Sequence, residues 1–249
     1  MKRWIILASG ALILPATAVP ADARTAPADP VATLKTQFVP QRGVRIVESG
    51  KTASGGRPLS AQKRGGVVQF GVSGVAGYDI LTKSALAGET ARPLRTLAVG
   101  GSVHTSGGVI GEGLPDGRRW MRAPGRIRDL SPFLTPALVL EPATLKTLLS
   151  TSTAKKPGAT LHGGKVTFGA LYRASPSYRA RLHKRPSAKV AAMTVTWRLW
   201  LGRDGLPSRL VTSWAEPPLA MRVTRVSDVR FASWGTPVNL TAPVEETAG

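Results

Sequence analysis

Cysteine is absent from this 249-residue chain, which excludes disulfides, thiolate metal sites, a cysteine nucleophile and lipid attachment through cysteine. Acidic residues are scarce, 14 against 34 lysines and arginines. None stands in an obviously apolar stretch, so paired carboxylates for acid–base work are not expected. Histidine is equally thin: His104, His162 and His183 lie far apart, and no two have the i, i+3 or i, i+4 spacing that sets two imidazoles on one metal. Each is read as an ordinary surface or packed histidine, and no metal or cofactor is expected. Long hydrophobic runs are missing too. The apolar run Trp4–Leu14 ends at Pro15, short of the ~20 residues a membrane span needs.

That short run has a different reading. Lys2 and Arg3 precede it, and Ala21-Asp22-Ala23 supplies the small-x-small pattern of a signal peptidase site. The expectation is a secreted protein, extracellular or in the cell envelope, maturing at about Arg24: residues 1–23 a signal peptide, 24–28 a polar lead, 29–244 one domain and 245–249 a tail. Losing Lys2, Arg3 and Asp22 leaves a formal charge of +19. An extracellular chain this basic is drawn to polyanions, without specificity.

Motifs that would carry catalysis fail on inspection. Gly100-Gly101-Ser102-Val103-His104 has histidine where a nucleophile elbow needs its second glycine. Gly163-Gly164-Lys165-Val166 lacks the earlier glycine and the Ser or Thr of a phosphate loop, and Gly111-Glu112-Gly113 is followed by Asp116 where a dinucleotide fingerprint wants glycine. The S-x-x-K spacing occurs at Ser60–Lys63 and Ser152–Lys155, without the S-D-N and K-T-G elements that support it in penicilloyl-serine enzymes. The chain is therefore expected not to be an enzyme, the alternative of another class being an extracellular hydrolase.

What is present is strand texture. Gly (27) and Pro (20) are frequent, favouring many strands joined by turns over long helices. The clearest element is a hairpin over Met193–Trp214. Val195, Trp197, Leu199 and Leu201 alternate with Thr196, Arg198 and Trp200, and Asp204-Gly205 supplies the turn. Asp29-Pro30 predicts a helix start, followed at helical spacing by Val31, Leu34 and Phe38 and stopped by Pro40. Strands are expected at Val44–Glu48, over Val67–Val75 with Val68, Phe70 and Val72 on one face, and at the alternating set Leu97, Val99, Val103. The Gly- and Lys/Arg-rich Ser49–Gly66 reads as a mobile loop.

Farther along, Gly107–Trp120 reads as short strands turning at Pro115-Asp116-Gly117. Ser131–Leu149 reads as two short helices, the second opening near Glu141-Pro142. A turn is expected at Gly163-Gly164, with Val166 and Phe168 in the strand after it. A long basic connection over Tyr172–Lys189 holds one short helix, Tyr178–His183. A closing strand is expected at Val238–Thr241. Together these predict an α+β protein: one antiparallel sheet of eight or more strands with short helices on one face.

The order of these features resembles the LppX/LprG-type envelope proteins of actinobacteria, related in fold to the LolA/LolB lipoprotein carriers and the RseB sensor domain. The residues that carry the resemblance are Asp29-Pro30, Gly117-Arg118-Arg119-Trp120-Met121, the Leu-rich Pro142–Leu149, Trp200-Leu201-Gly202-Arg203-Asp204-Gly205-Leu206-Pro207 with Arg209, and Phe231–Pro243. The resemblance implies a half-barrel, a curved antiparallel sheet of about 8–11 strands whose concave face is closed by short helices. It also implies an apolar lipid or acyl ligand, or a lipidated partner, between the two layers, with no catalytic residues. The lining expected here is Trp197, Leu199, Leu201, Met221 and Val223 from the sheet, and Leu134, Leu138, Leu145, Leu148 and Leu149 from the helices. The same residues equally make an ordinary core, and then the chain is a ligand-free interaction or sensor domain. Family members are commonly anchored through a lipidated cysteine, which this chain lacks. Two basic clusters, Arg118–Arg128 and Arg173–Lys189, are the expected contacts to an anionic envelope surface. Aromatic interleaving in them is too thin for nucleic acid, and a monomer is expected.

Overall fold

The computed structural model describes residues 29–86, 92–114, 118–124, 133–153, 160–182, 184–216 and 223–243. The expected signal peptide, lead and tail fall outside this set. So do Met221, His183, the Pro115–Gly117 turn, Arg126, Arg128 and Lys155.

Among the described residues ten strands form one antiparallel sheet. An amino-terminal meander comprises β1 (Arg42–Ser54), β2 (Arg57–Gly71), β3 (Gly74–Leu86), β4 (Arg92–Val99), β5 (Ser102–Gly107) and β6 (Met121–Pro124). A carboxy-terminal one comprises β7 (Leu161–Thr167), β8 (Thr194–Leu201), β9 (Pro207–Ala215) and β10 (Val223–Pro237). The spatial order β6-β5-β4-β3-β2-β1-β10-β9-β8-β7 joins the two through the β1–β10 pairing. The architecture is α+β: an open, curved half-barrel sheet with a few short helices. Glycine permits part of the curl. A Cβ at Gly66 would lie 1.9 Å from the Asp79 carbonyl oxygen and one at Gly77 2.6 Å from that of Ala98, so neighbouring strands approach where only a bare Cα fits.

The helices are α1 (Pro30–Thr36), α2 (Gly108–Glu112), α3 (Pro142–Ser150), α4 (Phe168–Ala174), α5 (Pro176–Leu182) and α6 (Ala188–Ala192). Helix α1 starts as predicted, with the Asp29 carboxylate accepting from Val31 N at 3.0 Å and proline at the first turn. Helices α3 to α6 pack around α4, α1 lies against α3, and α3 and α4 reach β7. One apolar core lies between them and the sheet. It takes Val44, Ile46, Val68, Phe70 and Ile80 from the amino-terminal strands, Trp197, Leu199 and Leu210 from the carboxy-terminal ones, and Leu34, Leu145, Leu148 and Leu171 from the helices.

Several expectations are corrected. Ser49–Gly66 is no loop: it forms the outer halves of β1 and β2, which turn at Gly55-Gly56 with φ of +54° and +82°. Backbone ladder bonds hold a strand whatever its side chains, and composition alone misread this one. Val72 sits exposed in the β2–β3 turn, off the face of Val68 and Phe70. Strand β3 beyond Val75 went unpredicted. Leu97, Val99 and Val103 belong to two strands separated by the Gly100-Gly101 turn.

Helix α2 replaces an expected short strand. Phe133–Leu140 is irregular, since Pro136 lacks an amide donor and disfavours helix at the residue before it. Gly163 and Gly164 run through β7 as part of the ladder, and Phe168 opens α4 behind the Thr167 cap. The basic connection holds its expected helix as α5, starting two residues earlier than Tyr178, and also takes in the end of α4 and the start of α6. Residues 238–241 are not a strand, because β10 ends at Pro237.

Candidate functional site: the covered face and its buried carboxylate

Register decides which side chains share the inner face. Val44, Ile46, Glu48 and Gly50 alternate inward on β1, opposite Val68, Gly66, Arg64 and Gln62 of β2 and, beyond Ile46, opposite Phe231, Val229 and Ser227 of β10. From β10 the rows continue to Leu210 and Leu199, and to Thr212 and Trp197. The face thus changes character along β1, from apolar at Val44 and Ile46 to polar from Glu48 outward.

Glu48 is fully buried. Its two carboxylate oxygens accept from Leu134 N at 2.9 and 3.0 Å, Ser227 donates its hydroxyl at 2.6 Å, and Arg64 Nη1 lies at 3.4 Å. Burial pushes this carboxyl above the usual carboxylate range. Ser227, Arg64 and the backbone amides of Leu134 and Thr135 pull the other way. Arg181 of α5 stacks on Tyr178, 5.3 Å from the ring centroid, and is also within electrostatic reach of Glu48 and Arg64. Burial, the largest influence, lowers its pKa; Tyr178 and Glu48 oppose that and Arg64 adds to it.

Glu48 is therefore a pin. The segment it holds, Phe133–Leu140, is apolar and irregular and lies on the inner face. A second buried bond joins it to the sheet, Thr212 donating to Thr135 Oγ1 at 2.9 Å, while Ala137 N donates to the same oxygen at 3.1 Å. Leu134 rests on Gly50, where a Cβ would come within 2.3 Å of its Cδ1. Next to this contact a narrow pocket opens between Gly50, Gln62, Leu134, Trp214 and Arg225. An open groove of about 330 Å³ lies farther out at the β1–β2 tip, lined by Thr52, Ala53, Pro58, Leu59 and Ala85 among others.

The expected lining residues divide. Trp197, Leu199, Leu201, Leu138, Leu145 and Leu148 come together in the main core, with Leu149 packed against it. Trp197 is 1% exposed and its Nε1 has no acceptor among the described residues; a buried indole donor is usually paired. Leu134 stands at the polar end instead. Val223 is half-buried at the start of β10, opposite Ser54, and takes no part in the core.

Sequence reasoning missed Glu48, although it shares parity with Val44 and Ile46. It also missed Glu141, whose oxygens accept from Thr144 Oγ1 at 3.1 Å and Ser177 N at 3.0 Å and so tie α3 to α5.

Ser60 and Lys63 sit three apart on β2 and point to opposite faces. Ser152 bridges to Gly164. His104 is buried on the outer face of β5, opposite Leu97. Among the described residues, no cluster of three or more His, Asp and Glu could hold a metal ion. In the second basic cluster, Arg179 is committed to structure, donating to the Tyr172 and Arg173 carbonyls at 2.9 and 2.7 Å.

No family model and no curated protein matches the chain. Among solved structures it is similar to a DUF1329 family protein from Desulfovibrio piger, 13% identical, over 86% of this chain and 92% of that one, with a TM-score of 0.31. It is also similar to a LolA superfamily protein from Nitrosomonas europaea, 11% identical, over 84% and 92%, with a TM-score of 0.30.

Proposed function

We propose that this protein is a secreted, non-enzymatic carrier of the LppX/LprG type that takes the acyl part of a lipid or lipidated partner onto the inner face of its sheet. The observation that carries this reading is the cover. Beside Glu48 the described cover of the inner face is the irregular apolar segment Phe133–Leu140, pinned through Glu48, with Arg181 of α5 next to it. Such a segment occupies the place of an apolar ligand and makes few backbone bonds of its own, so an acyl chain displaces it at little cost in secondary structure. The unpaired Trp197 indole N–H offers a buried donor to a ligand carbonyl. Export follows from the amino-terminal pattern of Lys2 to Ala23.

A second reading, a ligand-free interaction or sensor domain, is favoured by the burial of Trp197, Leu199, Leu145 and Leu148 in one continuous core. Mass spectrometry of protein purified from its native envelope separates the two. A carrier brings a stoichiometric acyl lipid, and Leu148→Trp or the milder Leu149→Trp reduces uptake of a fluorescent lipid. Protein that arrives without lipid, and variants with unchanged uptake, overturn the carrier reading and leave the interaction domain.

A further inference from the structure

Among the described residues no helix lies on the outer face of the same sheet, and register shows what it displays beside the buried Leu97 and His104. One row crosses eight strands from Arg95 through Leu81, Gly65, Val47, Arg230, Arg209 and Trp200 to Leu161. Its aliphatic members are open to solvent: Val47 is 57% exposed, Leu161 45% and Leu81 42%. The rows on either side bring Lys63 and Lys83 directly opposite each other on one flank and Arg45 on the other.

The only acids on this face among the described residues are Asp79 and Asp228. Each is already held by a bidentate arginine, Arg95 at 2.9 and 2.6 Å and Arg209 at 2.9 and 2.6 Å. Arg45, Lys51, Lys63, Lys83, Arg198 and Arg230 are exposed and have no carboxylate partner among the described residues. Two lysines facing each other across a ladder repel, and an exposed Val–Leu row gains nothing in water.

We infer that this face docks on an anionic lipid bilayer, with the Leu81–Val47 row at the level of the glycerol and upper acyl groups and the flanking cations on headgroup phosphates. Charge complementarity selects an anionic surface. Exposed aliphatics set among the cations select a bilayer over a nucleic acid or other linear polyanion, which would use the charges alone or want bases to stack. Trp200, the one aromatic ring in the row, is engaged by Arg209 at 4.8 Å. A second copy of this chain, carrying the same cations, is repelled.

The test is partition of the purified protein, with one amino-terminus in all variants, onto vesicles of equal phosphatidylglycerol and phosphatidylcholine against phosphatidylcholine alone. Binding is expected to anionic vesicles only and to weaken with salt. Lys63→Glu with Lys83→Glu should weaken it by more than about tenfold. Val47→Ser with Leu81→Ser should weaken it several-fold, and Lys146→Glu with Lys189→Glu on the helices should leave it unchanged. Circular dichroism checks that each variant is folded, and the single Lys63→Gln gives a milder probe of the same sign.

Absence of binding to anionic vesicles overturns the inference, as does equal loss from the helix-side pair. Binding to duplex DNA or polyphosphate as tight as to vesicles, and indifferent to Val47→Ser with Leu81→Ser, assigns the face to linear polyanions and overturns it as well. Neither result depends on whether the inner face takes a lipid.

Discussion

Along the single hairpin of β1 and β2, two inner faces meet that are built by different rules. At one end Val44, Ile46, Val68 and Phe70 are fully buried, and each such side chain contributes about 1.5–3 kcal/mol by leaving water. The contact is non-directional and continuous with Ile80, Phe231 and the helices. At the other end Glu48, Arg64, Gln62 and Ser227 occupy the same alternating positions. There Leu134 and Thr135 of the cover are held by a few directional bonds whose net worth is about 1 kcal/mol each, while Phe133 and Ala137–Leu140 of the same segment are buried in the apolar core. One end specifies the fold, and the other specifies where one segment rests. The molecule also loosens first at Leu134 and Thr135, where the contact is a short list of bonds.

The largest effect is expected at the apolar end. Gly66 sits between Ile46 and Ile80, and an added Cβ would meet the Asp79 carbonyl oxygen, a backbone atom that cannot rotate away. Gly66→Ala should therefore cost several kcal/mol, more than the 1–3 kcal/mol typical of overpacking, and give little folded protein. Circular dichroism and a thermal melt check this. A cooperative melt near that of the wild type would show that the strands there have slack, and the contrast between the two ends would weaken.

A smaller effect is expected at Glu48. Glu48→Gln keeps the shape but presents one carbonyl and one donor where the pocket offers four donors, from Leu134, Thr135, Ser227 and Arg64. The expected loss is about 1–3 kcal/mol. Hydrogen exchange should show it as faster exchange confined to 133–140, with β1 and β2 near Ile46 unchanged. The pH dependence has a definite sign. Because burial raises the carboxyl of Glu48 in the folded state, the native protein holds that proton more tightly than the unfolded chain. Stability contributed by Glu48 therefore rises as pH falls through the folded pKa, and levels off below the ordinary value of 4.5. Glutamine has no such dependence, so the melting temperature of the wild type should gain on that of Glu48→Gln on acidification from neutrality. A constant difference would mean that Glu48 titrates as it does in the unfolded chain.

How much of this was legible in sequence follows the same division. The apolar alternation of Val195, Trp197, Leu199 and Leu201 and the Asp204-Gly205 turn are local and strong. That hairpin stands as predicted, with Leu206 N on Asp204 Oδ1 at 3.0 Å. Helix starts at Asp29-Pro30 and Glu141-Pro142 are equally local. The outer halves of β1 and β2 were lost because Gly, Lys and Gln carry no apolar alternation, although the ladder forms all the same. Glu48 was readable in principle by extending the parity of Val44 and Ile46 one step, but its partners Leu134 and Ser227 lie 86 and 179 positions away. The cationic outer face was illegible for the same reason. Its members Arg45, Lys63, Lys83, Arg198 and Arg230 are scattered in sequence and meet only through register, whereas the dense run at Arg173–Lys189 spends Arg179 and Arg181 on the helices themselves.

The mildest substitution lies at Gly50, next to the cover. At Gly50 an added Cβ would come within 2.3 Å of Leu134 Cδ1, closer than any real contact and nearly as close as at Gly66. The neighbour here is the free end of a side chain on the cover, however, and it can swing toward the narrow pocket beside Trp214 and Arg225. Gly50→Ala is therefore expected to cost only about 1 kcal/mol, the low end of overpacking, and to be paid by the cover rather than the sheet. Exchange at 133–140 should rise modestly, as in Glu48→Gln, with no change in pH dependence because the carboxylate keeps its partners. If the inner face accepts acyl chains, uptake of a fluorescent lipid should increase as Leu134 lifts. Two alanine substitutions with like steric overlap, one abolishing the fold and one merely loosening a segment, would locate the boundary between the two ends of β1 between Ile46 and Gly50. Equal damage from both would mean that Phe133–Leu140 is as rigid a part of the structure as the strands beneath it.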